Sequence, residues 1–233
     1  MPLPFFFEEN LNDQSTFILS EPTSRHITHV LRMHEGERLK ITNGLGYELT
    51  CEIISQNKKI TEVKVITTNI YKPPAKKITI AISLIKNNNR FEWFLEKAAE
   101  IGVSEIIPML CDRTEKQHFR HDRMRNILIS AMLQSQQVWL PLLHPATAFK
   151  QIAELKKDAK RFIAHCDEGT KASLKDLANS STDSTIILIG PEGDFTKNEI
   201  DLARQNSFIS TSLGDTRLRT ETAGIVAAVI LNL

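Results

Sequence analysis

No apolar run in this sequence is long enough to span a membrane. The longest, AGIVAAVILNL at residues 223–233, is about half of the roughly 20 residues a span requires, so it reads as a buried helix. The N-terminal MPLPFFFEEN has no basic segment and carries prolines inside its apolar stretch, so it does not read as a signal peptide. Cysteine is scarce. Cys51, Cys111 and Cys166 are odd in number, far apart and form no C-x-x-C pair, which points to reduced thiols in a cytoplasmic protein. Glycine and proline stand at 9 each, too few for a long disordered tract. The 29 Lys and Arg nearly cancel the 28 Asp and Glu, so the whole molecule has no nucleic-acid signature and any such contact must come from local patches. His26 and His29 are three apart, as are His118 and His121, but no third or fourth ligand accompanies either pair, so no metal is expected.

Two rhythms divide the chain. TFILS, RLKIT, YELTCEII and TEVKVITT alternate as short strands, with NGLG and SQNKK as turns. Asn43-Gly44 supplies the positive φ of a tight hairpin. One helix interrupts, SRHITHVLRM, with Ser24 as its N-cap and Ile27, Val30 and Leu31 as its buried face. These features predict a small β-barrel or sandwich over residues 1–72. The prolines and lysines of YKPPAKK then mark a linker, with the boundary near residue 74.

From residue 75 to 233 strand and helix alternate. ITIAISLI, EIIPML, RFIAHC, STIILIG and FISTSL are strands. RFEWFLEKAAEIG, DRMRNILISAMLQSQQ, TKNEIDLARQ and ETAGIVAAVILNL are helices. Gly102 closes the first of these helices. Continuous apolar strands between helices predict an α/β domain with a mostly parallel sheet covered on both faces.

Two loops at strand ends carry the polar chemistry. GPEGDFTKNE, residues 190–199, follows the strand ending at Ile189. Thr196 and Glu199 have capping-box spacing, and Gly190 and Gly193 permit positive φ or close backbone approach. The spacing of a phosphate loop or a dinucleotide fingerprint is absent. The acidic tip, Glu192 and Asp194, suits a cationic or hydroxyl-bearing ligand, and a tight connection without function remains compatible with this loop alone. The second loop, SLGDTRLRTETAG at 212–224, packs Arg217, Arg219, Glu221 and three threonines between core elements, where they need partners or a ligand. Loops after successive strands form two walls of one pocket.

LIGPEGDFTKNEI and LGDTRLRTETA together resemble the SPOUT methyltransferases, and more closely the RsmE family of ribosomal small-subunit RNA uridine N3-methyltransferases. HITHVLRMHEGERLKITNG is similar to that family's PUA-like domain, and KNNNRFEWFLEKAAEIGVSEIIPMLCDRT to the start of its catalytic domain. Two departures bear on RNA: residues 2–7 carry no arginine, and Gln134-Ser135 is followed by Gln136-Gln137 instead of a basic residue.

The resemblance implies a deep trefoil knot in the C-terminal domain, S-adenosylmethionine as cofactor, a homodimer, and 16S ribosomal RNA, within the small ribosomal subunit, as substrate. The glycines Gly190, Gly193 and Gly214 would close on the adenosine. Leu188, Leu213 and Leu218 would be apolar walls. Pro191, Glu192, Thr220, Thr222, Ala223 and His165 complete the implied cofactor set. Arg219 would stabilise charge on a uracil carbonyl while Glu221 or solvent takes the N3 proton. Arg219 and Glu221 forming a buried ion pair is the structural alternative. For RNA, the stretch RTEKQHFRHDRMR holds five Lys and Arg against two acids, and residues 72–97 hold six against two. Residues 1–24 instead hold four acids and no base. Arg32, Lys86, Arg90, Arg113, Arg120 and Arg123, the NGLG tip and a stacking Phe119 form the expected RNA surface. A non-catalytic RNA-binding adaptor, a methyltransferase acting on another RNA position, and a small-molecule enzyme on a doubly wound fold are the other classes the residues admit.

Overall fold

The structure, a computed structural model, describes residues 3–11, 14–57, 59–115, 118–155, 157–167, 171–178 and 184–233. Lys58 of the SQNKK turn and Lys116 of the basic stretch lie outside the described residues. The chain divides into two compact units. One is Met1–Pro73 with Met132–Leu140, and the other is Pro74–Ala131 with Pro141–Leu233.

The first unit runs β1 (Phe5–Phe7), β2 (Thr16–Ile18), α1 (Glu21–Arg25), a π-helical segment (His26–Leu31), β3 (Arg38–Thr42), β4 (Tyr47–Gln56) and β5 (Thr61–Ile70). Its sheet has the order β1-β3-β4-β5-β2. All pairs are antiparallel except β1 with β3. Alternate residues Leu39, Ile41, Cys51, Ile53 and Val63 turn inward around Ile27.

Three local readings change here. Phe5–Phe7 is a strand, paired with Lys40–Thr42. The helix starts earlier than SRHITHVLRM predicts: Ser20 is its N-cap, Pro22 sits in its first turn, and Ser24 lies inside it. Ser24 is fully buried, and its hydroxyl accepts from the Thr61 N–H at 3.1 Å. The following residues wind as a π-helix, so the 3.6-residue period fails. Ile27 is buried, but Val30 is 67% and Leu31 43% exposed.

The hairpin tip is covered. Gly44 (φ 71°) and Gly46 (φ 87°) take the left-handed backbone. The segment from Val138 to Leu140 pairs beside them, with Gly46 N–H donating to the Val138 carbonyl at 2.9 Å and Leu140 N–H to the Gly44 carbonyl at 2.9 Å. A Cβ on Gly46 would fall 2.3 Å from the Trp139 ring, so the glycine side of the tip packs against an indole, while Leu45 between the glycines is exposed.

Beyond Pro73 the chain runs β6 (Lys77–Ser83), α2 (Asn88–Ile101), β7 (Glu105–Leu110), α3 (His121–Gln134), β8 (Leu142–Leu143), β9 (Thr147–Ala148), α4 (Phe149–Ala153), β10 (Lys160–Ala164), β11 (Ala172–Ser173), α5 (Leu174–Ala178), β12 (Ser184–Ile189), α6 (Lys197–Gln205), β13 (Ile209–Ser212) and α7 (Thr220–Asn232). The sheet order is β11-β13-β10-β12-β6-β7-β8, with β9 also on β7. Every pair is parallel. The mixed α/β class and the parallel sheet agree with the sequence. The short elements β8, β9, α4, β11 and α5 are additions to it.

One sheet face, from Ala81, Ile107, Met109, Ile163, Ile186 and Leu188, packs on Phe149 and Ile152 of α4 and Ile200 and Ala203 of α6. The other face takes α2 and α7. They meet at Gly224, where a Cβ would stand 2.6 Å from Phe94 and 3.0 Å from Ile82. Arg161 is a buried cation in β10. It donates to the carbonyls of Ala153, Leu155 and Asn206, and its guanidinium lies 4.3 Å from the Phe208 ring centroid.

Candidate functional site

β10, β12 and β13 are neighbours and parallel, so their carboxyl ends open on one edge of the sheet. Three connections start there: His165 after β10, Gly190 after β12 and Leu213 after β13.

The loop after β12 is tied on every side. Thr196 caps α6, and both halves of the capping box form: Thr196 Oγ1 accepts from Glu199 N–H, and Glu199 Oε2 accepts from Thr196 N–H at 2.8 Å. Glu199 is buried, and its other oxygen accepts from Asp112 N–H at 2.9 Å. Asp194, at φ 64°, takes the left-handed conformation expected of a glycine. Its carboxylate accepts from Phe195 N–H and from Cys166 N–H, both at 2.8 Å, which ties the loop to the end of β10. Gly190 and Gly193 do not have positive φ. Gly190 is small for a packing reason, because a Cβ there would lie 3.0 Å from the Phe195 ring. A Cβ on Gly193 would lie 3.4 Å from Arg113 Cδ.

The loop after β13 has fewer ties. Ser212 Oγ donates to the Gly214 carbonyl at 2.9 Å and accepts from its N–H at 3.2 Å. Gly214 has φ 143°, and nothing lies within 4 Å of where its Cβ would stand. Residues 214–217 are exposed. Thr220, first residue of α7, joins the two loops by donating its hydroxyl to the Gly190 carbonyl at 3.0 Å.

Between the loops lies a cavity of about 560 Å³. Gly190, Pro191, Glu192, Leu213, Gly214, Leu218, Arg219, Thr220, Ala223 and His165 line it, as the sequence leads one to expect. Leu188, within β12, instead belongs to the core on one face of the sheet. Gly193, Thr222 and Glu221 are not part of the lining. Cys166, Lys171, Asp194 and Arg217 also line the cavity; the sequence marks Asp194 and Arg217 only as polar loop residues open to a ligand, and does not mark Cys166 or Lys171. Asp194 had a signal, an Asp in a glycine turn, whereas Lys171 had none.

His165 is a buried polar group on the wall of this cavity. It is 8% accessible, and neither ring nitrogen has a hydrogen-bond partner among the described residues. Burial, helped by the Lys171 ammonium, pushes its pKa below the ordinary value. Its imidazole is therefore neutral near pH 7, with one donor and one acceptor nitrogen to offer. Lys171 Nζ donates to the His165 carbonyl at 2.8 Å and holds that backbone in place.

Arg219 and Glu221 do not pair with each other. Arg219 is exposed at the start of α7 and lines the cavity. Glu221 is buried, with Oε1 3.7 Å from Arg90 Nε and Oε2 lacking a partner among the described residues. The other expected RNA contacts are also largely engaged. Lys86 pairs with Glu115 at 2.9 Å, and Arg123 makes a two-point contact with Glu92 at 2.7 and 3.1 Å. Arg113 donates to backbone carbonyls. Arg32 and Arg120 are exposed, and Arg32 holds a left-handed φ of 54° at the end of the π-helix. Phe119 packs edge-on against Phe91 and His121, each 6.0 Å away, so it is not a free stacking platform. Among the described residues no cluster of three or more His, Cys, Asp or Glu is arranged to hold a metal ion, and no helix is long and apolar enough to cross a membrane.

Known proteins bear on this geometry. The RNA methyltransferase domain family matches residues 72–232, and the RNA methyltransferase PUA domain family matches residues 19–66. The chain is 27% identical to the ribosomal RNA small subunit methyltransferase E of Bacillus subtilis, over 94% of this chain and 91% of that protein. Its fold is similar to a crystal structure described as a probable rRNA-methyltransferase from Porphyromonas gingivalis, with a TM-score of 0.89, 35% identity and coverage of 97% and 95%. It is also similar to the ribosomal RNA small subunit methyltransferase E of Neisseria gonorrhoeae bound to S-adenosyl methionine, with a TM-score of 0.86, 25% identity and coverage of 97% and 95%. The chain belongs to the RNA methyltransferase family, in the RsmE branch that its two loop motifs resemble.

Proposed function

We propose that this chain uses S-adenosylmethionine to methylate N3 of a specific uridine in 16S ribosomal RNA, presented by the small ribosomal subunit. The observation that carries the reading is the cavity between the two loops, with a buried imidazole on its wall that has no partner among the described residues, and open space over Gly214. The residues fit this cofactor. Leu213, Leu218 and Ala223 offer apolar surface to an adenine, Glu192 offers a carboxylate to hydroxyl or ammonium groups, and His165 offers a neutral donor and acceptor. The Neisseria relative, bound to S-adenosyl methionine, supports the same assignment.

When bound, the cofactor supplies a methyl group on a sulfonium. The protein's part is to position and to manage charge. Backbone at Gly190, Pro191 and Gly214 and the apolar walls orient the cofactor and exclude water. Arg219, at the cavity edge, offsets negative charge on a uracil carbonyl oxygen as the N3 proton leaves. Solvent takes that proton, because Glu221 is turned to Arg90 and is not in the cavity lining. The remaining parts of the reading are a cytoplasmic homodimer, a deep trefoil knot in which the C-terminal segment threads through a preceding loop, an RNA-binding domain at residues 1–72 and a catalytic domain at 75–233. The Thr220–Gly190 hydrogen bond supports the knot, and the exposed Trp93 and Val229 on the packed pair α2 and α7 support the dimer.

The test is mass spectrometry of ribosomal RNA from cells lacking this protein, with and without complementation. The proposal expects 3-methyluridine to vanish and return. Its persistence, or loss of a different methylated base, contradicts the assigned target. Complementation with Arg219→Ala should restore little, while purified Arg219→Ala keeps its RNA affinity and loses turnover.

A further inference from the structure

None of residues 111–115, the connection after β7, lines the cavity. Yet this connection is bonded to the loop that does. Thr114 Oγ1 accepts from Cys111 N–H at 2.8 Å and shares a hydrogen bond with Ser83 Oγ at 2.9 Å, fixing the connection to the end of β6. Asp112 Oδ2 accepts from the Thr196 hydroxyl at 3.1 Å. Arg113 reaches furthest. Its Nη1 donates to the Gly193 carbonyl at 2.7 Å and to the Phe195 carbonyl at 3.4 Å. Its stem lies across the α-carbon of Gly193, with Cδ 3.4 Å from where a Cβ would be.

These contacts bracket the cofactor wall. Gly190, Pro191, Glu192 and Asp194 line the cavity, and the carbonyls of Gly193 and Phe195 flank the last of them. Asp194 secures one side of the turn through Cys166, and Arg113 secures the other. Nη1 serves both carbonyls from a rigid, planar guanidinium whose donors have fixed directions, which a lysine ammonium on its flexible stem matches less well. A wall that is even slightly misplaced loses contacts with its ligand.

We propose that Arg113 is a positioning residue for the cofactor. It fixes the carbonyls of Gly193 and Phe195 and thereby holds Gly190–Asp194 in the shape that receives S-adenosylmethionine. The proposal rests on the cofactor reading above. It takes Arg113 out of the RNA surface to which its charge and its neighbours Arg120 and Arg123 would assign it.

The experiment compares the full chain with Arg113→Ala and Arg113→Lys. It measures S-adenosylmethionine affinity by calorimetry, steady-state kinetics, and affinity for a 16S-derived RNA at several salt concentrations. Arg113→Ala should weaken cofactor binding by about tenfold or more, the worth of charge-assisted hydrogen bonds, and raise the KM for the cofactor more than it lowers kcat. The salt dependence of RNA binding should not change. Arg113→Lys keeps the charge and the stem, so it folds even where the alanine variant does not, and it should recover part of the cofactor affinity. Unchanged cofactor affinity with a salt slope reduced by about one would make Arg113 a phosphate contact and overturn the proposal. A fall in melting temperature in both variants without selective loss of cofactor binding would reduce it to a structural tie and also overturn it. A wild-type chain that fails to bind S-adenosylmethionine defeats the cofactor reading itself and this proposal with it, whereas wild-type binding matched by Arg113→Ala defeats this proposal alone.

Discussion

The two loops that enclose the cavity are built in opposite ways. The loop after β12 has side chains from the connection after β7, from α6 and from α7 bonded to it, and its own Asp194 bonds the end of β10. The loop after β13 is exposed over residues 214–217 and is shaped mainly by one serine and one glycine. Both carry glycine, but for different reasons. Gly190 yields space to a phenylalanine of the core, and Gly214 adopts a backbone that other residues resist. A firm wall opposite a lightly held one suits a ligand that must be oriented and also admitted. Substitution separates the two designs.

The largest effect is expected at Glu199, where the firm loop meets its helix. Its carboxylate accepts from the N–H groups of Asp112 and Thr196 and from the Thr196 hydroxyl, all at 2.8–3.0 Å. Glu199→Ala leaves buried donors unpaired and removes the capping box, so it should cost about 2–4 kcal/mol in denaturant unfolding. Glu199→Gln should recover part of the loss. A cost below about 1 kcal/mol would mean that the first loop is not held as described.

Next come the glycines. Gly190→Ala places a methyl 3.0 Å from the Phe195 ring and should cost about 1–3 kcal/mol of stability through the core. Gly214→Ala meets no atom but must hold φ 143°, a strain of about 1–2 kcal/mol. Relative to its stability cost, Gly214→Ala should lose more S-adenosylmethionine affinity, because its methyl group stands on the cavity wall. Paired melting curves and calorimetry check this. The contrast between the walls collapses if the two variants lose stability and affinity in the same proportion.

The smallest effect is a pH dependence. Folded His165 stays neutral below its ordinary pKa of 6.5 because burial and Lys171 disfavour its cation, while the unfolded chain takes up a proton there. The unfolded state then binds more protons, so stability should fall as pH drops below about 6.5 and should not change on its account above that value. His165→Asn should flatten this part of the pH–stability curve. A wild-type curve that matches the variant between pH 5 and 7 would place His165 in a wetter setting than the cavity wall.

What the sequence could convey follows from range. The capping box of Thr196 and Glu199, the closing Gly102 and the apolar strands of the parallel sheet are local patterns, and each forms as read. The residues of both loops are also contiguous, which is why most of the cavity lining was legible. Long-range pairing was not. Arg90 and Glu221 lie on different helices, and no spacing rule joins them. Charge counting cannot tell an arginine free for phosphate from Arg113 or Arg123, whose partners are 80 and 31 residues away. The π-helix defeats periodicity directly, since Val30 and Leu31 have helical spacing but emerge on the outside. Phe5–Phe7 reads as a bare apolar run because a three-residue strand is defined by its partner β3 rather than by its own pattern. Arg161 looks like a surface residue until the carbonyls of Ala153, Leu155 and Asn206, at and just beyond the ends of α4 and α6, gather around it.

The most direct measurement is transfer itself. Purified chain, small ribosomal subunits lacking the modification and methyl-labelled S-adenosylmethionine are incubated, and the RNA is digested to nucleosides and resolved. The account predicts label in 3-methyluridine alone, at about one group per subunit for a single target site, and strongly reduced label with Arg219→Ala. Label in another nucleoside, or no label from a protein that binds the cofactor, would contradict it.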